Sequence, residues 1–141
     1  MKLSLPLLPR ARSARSDLGW TVLRAVLAGL IAAHGWARLI EGGVVPFGAW
    51  LTSLGFPLGF GIATAITTVE IVGTALLLLR RFVLPLTLIY ALIYAMGIIL
   101  VHSKAGWFVV GLGRNGSEYS VLLIVCLLCV GLQHVRASSD T

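Results

Sequence analysis

The chain has 141 residues, of which 58% are hydrophobic and 11% charged, with a formal net charge of +6. A water-soluble domain of this size carries about 25% charged residues, so lipid is the solvent for most of this chain and no sizeable soluble domain is expected. The basic residues lie mainly in the N-terminal tail and between apolar runs, which is the pattern of an orientation signal and excludes a nucleic-acid partner.

Residues 1–16 read as a basic, flexible cytoplasmic tail. The apolar stretch Leu3 to Leu8 is short and interrupted by Pro6, and Arg10, Arg12 and Arg15 stand where a signal-peptide cleavage site would be. A span needs about twenty mostly apolar residues. Four segments meet this: Leu18 to Leu39, the run after Pro57 to Leu79, Phe82 to Val101, and Glu118 to Val135. Residues 17–136 thus form one membrane domain, an all-α integral membrane four-helix bundle, and 137–141 a short polar tail. Between the first two spans, Phe47, Trp50, Leu51 and Leu54 recur at helical spacing. This first outer loop is predicted to hold a short helix in the membrane interface. Pro57 suits the first turn of the second span. The second outer loop, His102 to Ser117, is rich in glycine and basic residues.

With the N-terminus inside, Lys2, Arg10, Arg12, Arg15, Arg80, Arg81 and Arg136 are cytoplasmic, against Arg38, Lys104 and Arg114 outside. The excess places both termini in the cytoplasm. Trp20 then falls at the inner interface, and Trp36, Trp50 and Trp107 near the outer one.

Ionisable groups inside spans are costly and face a bundle interior or cavity. Glu70 lies mid-way along the second span. Ile66, Thr67, Gly73 and Thr74 share its face, with Ala63 further along, and small or hydroxylic neighbours let another helix approach. Glu70 is therefore expected to point inward, either as a structural carboxyl or in a functional role. Arg24 has two readings: it snorkels to the cytoplasmic interface, or it reaches Glu70 about one helical turn away. His34, Arg38 and Glu41 fall with Arg24 on one arc of the first helix. His102 ends the third span and Glu118 opens the fourth, where Ser117 could cap the helix and a carboxylate is favoured. Together His34, Arg38, His102, Glu118 and Glu41 outline a polar pocket opening outward, with Glu70 at its floor. Histidine and carboxylate there could relay protons, bind a polar head group or, less specifically, hold a metal. Tyr90 and Tyr94 are expected to pack and form local hydrogen bonds, or to line a quinone-sized cavity. Cys126 and Cys129 sit mid-span in a leucine-rich helix, where thiols pack rather than react.

These pieces, in this order, resemble the DoxX family of small four-span bacterial membrane proteins. The resemblance runs from about Gly19 to Val135. It rests on Leu23-Arg24, His34-Gly35-Trp36-Ala37-Arg38, Phe47-Gly48-Ala49-Trp50-Leu51, Leu54-Gly55-Phe56-Pro57, Val69-Glu70-Ile71-Val72-Gly73, His102 and Glu118. It implies a bacterial cytoplasmic membrane and a kinship with small membrane subunits of thiosulfate:quinone oxidoreductases and of thiol and oxidative-stress complexes. Its motif positions carry over as Arg24, His34, Arg38, Glu70, His102 and Glu118. The Cys-x-x-Cys is not part of the family pattern.

Three functions follow as expectations. The first is a redox-associated subunit that binds quinone outside and takes electrons from a soluble or membrane partner, since no haem, flavin or nicotinamide fingerprint is present. The second is a proton-coupled carrier or binder of a small molecule or lipid, for which four helices are thin without a homodimer. The third is a non-catalytic scaffold of another membrane complex.

Overall fold

The computed structural model describes residues 9–110 and 114–139. All its regular elements among the described residues are helical. Helix α1 spans Pro9–Ile40, α2 Val44–Ser53 and α3 Gly59–Thr68; a π turn, Val69–Gly73, joins α3 to α4, Thr74–Leu78. Helix α5 spans Val83–Leu100, a short 3-10 turn covers His102–Lys104, and α6 spans Glu118–Ser139.

Four of these units are long and apolar enough to cross a bilayer: Ala14–Ile40, Gly59–Leu78, Val83–Leu100 and Glu118–Val135. They lie within a few residues of the expected spans. Each exposes large apolar side chains, as lipid requires. On α1, Leu18, Val22, Val26 and Leu30 are exposed along one stripe, while Leu27, Ala28 and Ile31 are buried on the other. An exposed apolar stripe would be a liability in water and matches a hydrocarbon surround. Inside, Leu27, Ile31, Leu77, Val83, Tyr90, Leu127 and Val130 form the core. The threonine hydroxyls obey the same rule: Thr64, Thr67 and Thr68 each donate to the carbonyl one turn back, so no polar atom is left to lipid.

Two expectations are corrected. Helix α1 starts at Pro9, so the second half of the segment read as a flexible tail is helical; proline fits a first helical position, and alanines and arginines propagate the helix. Residues 1–8 of that tail lie outside the described residues. Pro57 is not in the first turn of the second span. Leu58 adopts a left-handed φ of 58°, and the helix begins at Gly59. The break folds α2 back against α3 so tightly that a Cβ on Gly48 would meet the Phe60 backbone.

The start of α1, the end of α6 and the turn at 79–82 lie at one end of the bundle, called proximal here. Helix α2 and the described residues 101–110 and 114–117 form the distal end. Helices α5 and α6 pack along their length, whereas α5 meets the second span chiefly toward the proximal end. Beyond Tyr90 the two separate, and a cleft opens distally.

Candidate functional site

The site is built on the π turn. In a π turn the ladder runs i to i+5, which loosens it and leaves carbonyl capacity open. Val69, its first residue, uses that capacity: the Tyr90 hydroxyl donates to its carbonyl at 2.8 Å. The ring reaches it because position 73 is glycine, where a Cβ would stand 2.5 Å from Tyr90 Oη. Thr74 Oγ1 donates to the Glu70 carbonyl at 2.8 Å. The turn is thus pinned from two sides, and it fixes the Glu70 side chain toward α1.

Gly35 gives α1 its close approach at that level. A Cβ there would lie 2.8 Å from Glu70 Cβ and 2.9 Å from Ile71 Cγ1. Three residues on, Arg38 places Nη1 2.5 Å from Glu70 Oε2 and 3.2 Å from Thr67 Oγ1. Its guanidinium carbon also sits 4.7 Å from the centre of the Phe47 ring, which stacks on Trp50 at 5.9 Å. Arg38 is therefore clamped between a carboxylate and an aromatic face, both of which favour a planar delocalised cation. Glu70, only 4% exposed, has its charge met by one partner through Oε2, while Oε1 takes no hydrogen bond.

This pair forms part of the wall of a cavity of about 390 Å³ in the distal cleft. The lining is mostly apolar. Phe47, Trp50, Leu51 and Phe56 supply the α2 side, Ile62 and Ile66 the α3 side, and Leu92, Ile93, Met96 and Leu100 the α5 side. The polar members are His34, Arg38, Glu70, Tyr94 and His102. His102 Nδ1 lies 2.7 Å from the carbonyl oxygen of Asn115. A carbonyl only accepts, so Nδ1 carries the proton, and Nε2 is the acceptor of the neutral ring. The Tyr94 hydroxyl is buried and has no hydrogen-bond partner.

Four of the six sequence-predicted positions therefore meet in one cavity: His34, Arg38, Glu70 and His102. Glu118 does not join them. Its Oε1 accepts the Val109 N–H at 2.9 Å, while the backbone N–H groups of Gly116, Ser117 and Glu118 bond to Phe108, Gly106 and Trp107. Glu118 is the clasp of the distal loop, and the Ser117 hydroxyl bonds the Gly106 carbonyl. Glu41 is exposed and stands outside the lining.

Arg24 does not reach Glu70, and Arg38 takes its place. Gly35 marks the level of Glu70 on α1, and Arg24 lies eleven residues before it, about 16 Å along the axis. That exceeds the reach of an arginine side chain. The hydropathy limits of the spans put Arg24 too near mid-membrane, whereas the close contact at Gly35 sets the true register. Sequence reasoning also missed the π turn, which has no residue signature here, and the unbonded hydroxyl of Tyr94. The short helix between the first two spans was visible, but not that its aromatic run walls the cavity. Tyr90 forms the local bond expected of it. Among the described residues no group of three His, Cys, Asp or Glu side chains could hold a metal.

The arrangement suits a flat, largely apolar ligand with one polar end, which would meet donors and acceptors on the cavity wall. Comparison with protein families, with characterised proteins and with solved structures finds no match to this chain.

Proposed function

We propose that this protein is a DoxX-like subunit of a bacterial cytoplasmic membrane, with both termini cytoplasmic, whose distal cavity binds a quinone for a redox partner. The observation that carries this reading is the pairing of an apolar, aromatic-walled cavity of about 390 Å³ with a polar cluster of Glu70, Arg38, Tyr94 and His102. A quinone head is flat and apolar on its faces and carries two carbonyl acceptors. Tyr94 has an uncommitted hydroxyl to give one of them. Phe47 and Trp50 offer a face for ring stacking. Glu70 Oε1 and His102 Nε2 are acceptors for the hydroxyl protons of the reduced form. Reduction of a quinone takes up two electrons and two protons, and the electrons are assigned to the partner. A carrier that loaded protons on Glu70 would first have to break its pair with Arg38, so the carrier reading is less well supported.

The test is native mass spectrometry of the gently purified protein beside a Glu70→Gln, His102→Ala variant, with quenching of tryptophan fluorescence by added short-chain quinone. A co-purifying quinone that is lost in the variant, and quenching weakened by about tenfold or more, are expected. Bulk phospholipid alone in both proteins, with equal quenching, would remove the basis for this reading.

A further inference from the structure

Arg24 is a buried cation with no counter-charge shown beside it among the described residues. Only 5% of it is exposed, and its Nε has no hydrogen-bond partner. The ion pair of Arg38 with Glu70 lies at the other end of the bundle. The Nε edge of a guanidinium is one of its two-donor edges and matches two oxygens of a carboxylate or phosphate. In Arg24 the Nε of that edge is buried and unbonded.

A second cation stands at the same level. Glu70 is level with Gly35, and the second span runs antiparallel to α1. Eleven residues back from Gly35 is Arg24, and a similar descent from Glu70 arrives at the Arg80–Arg81 turn. Helix α1, which carries Arg24, packs against α4, which Arg80 follows, and the two like charges act on each other. The backbone of Arg80 is unusual. The turn closes α4 with Arg81 N–H bonded to the Leu76 carbonyl and Arg80 N–H to that of Leu77, which places Arg80 at a left-handed φ of 58°. That is the position where helices ordinarily carry glycine. An arginine is held there against its backbone preference, beside another arginine that it repels.

We propose that Arg24 and Arg80 together form a binding site for one anionic phosphate group at the proximal end of the bundle. The anion supplies the charge that the pair lacks and an acceptor oxygen for the unbonded Nε of Arg24. Trp20 lies one turn before Arg24 on the same helix face, as an aromatic at headgroup depth does. A phospholipid headgroup and inorganic phosphate share this chemistry, and the site's depth favours the lipid.

The test uses the full-length chain in a neutral maltoside micelle. Native mass spectrometry reads retention of phosphatidylglycerol against phosphatidylcholine, and thermal unfolding is followed with each lipid and with inorganic phosphate. One phosphatidylglycerol per chain is expected to survive, with retention falling about tenfold or more in Arg80→Gln and in Arg24→Lys, which keeps the charge but loses the fork. Arg15→Gln removes a charge from the same end and should leave retention unchanged. Stabilisation by phosphatidylglycerol alone assigns the site to a headgroup, and equal stabilisation by millimolar phosphate assigns it to the free anion. Equal retention of both lipids, or retention unaffected by Arg80→Gln, overturns the proposal.

Discussion

Replacing Gly73 by alanine puts a methyl group where the Tyr90 hydroxyl now passes. The added Cβ would stand 2.5 Å from Oη and 3.0 Å from Leu86 Cδ2. Tyr90 is fully buried, so its ring cannot swing aside freely. The hydroxyl must leave the Val69 carbonyl, orphaning two polar atoms at about 1–3 kcal/mol, and repacking the ring adds about 1–3 kcal/mol. Alanine in a helix returns about 1 kcal/mol. The net loss is about 1–5 kcal/mol. Tyr90→Phe alone removes the bond but leaves the packing, and should cost about 1–2 kcal/mol. In the double variant the phenylalanine has no oxygen for the new methyl to meet. It should therefore be no less stable than Tyr90→Phe, which gives a coupling as large as the whole Gly73→Ala loss, about 1–5 kcal/mol. The assay is reversible unfolding by SDS in mixed micelles, followed by circular dichroism. Additive losses from the two single variants would show that Gly73 and Tyr90 do not meet, and the account of the π turn would fall with them.

Two further outcomes follow from the site. Arg38→Ala leaves a buried carboxylate unpaired and should cost about 3–5 kcal/mol in the same assay, whereas Arg38→Gln with Glu70→Gln should recover part of that loss; a single variant within error of the wild type would refute the pairing. Glu118→Gln weakens the clasp on Val109 without touching the cavity, so proteolysis within 105–117 should speed several-fold while quinone quenching stays unchanged; parallel changes in both would show that the loop shapes the cavity.

The spans were legible because the constraint that sets them is coarse. A run of about twenty apolar residues ends where charges begin, and the helix limits follow to within a few residues. The inward face of the second span was equally plain, since Ala63, Thr67, Glu70, Gly73 and Thr74 are all buried. What could not be read was axial register between helices. Arg24 and Arg38 both lie on α1 with the right chemistry, and only the contact at Gly35 decides which one Glu70 meets. Glu118 misled for a related reason: it has the right end of the bundle and the right charge, but its partner is a backbone N–H of a loop with no sequence signal. Tyr94 lines the cavity, one of the two places open to it in the sequence, but its unbonded hydroxyl could not be read because that is a property of what surrounds it.

The π turn also has a bearing on descent. It amounts to one extra residue wound into the middle of a transmembrane segment, where gaps are rarely allowed when chains are matched. Removing that residue would turn everything beyond it by about 100° and carry Leu77 away from the core. A relative with a regular second helix would share the Ala63–Thr67 face and the Leu77 face in space, yet would align with only one of them along an ungapped sequence. The kinship of such chains is best sought by pairing the two halves of this helix separately.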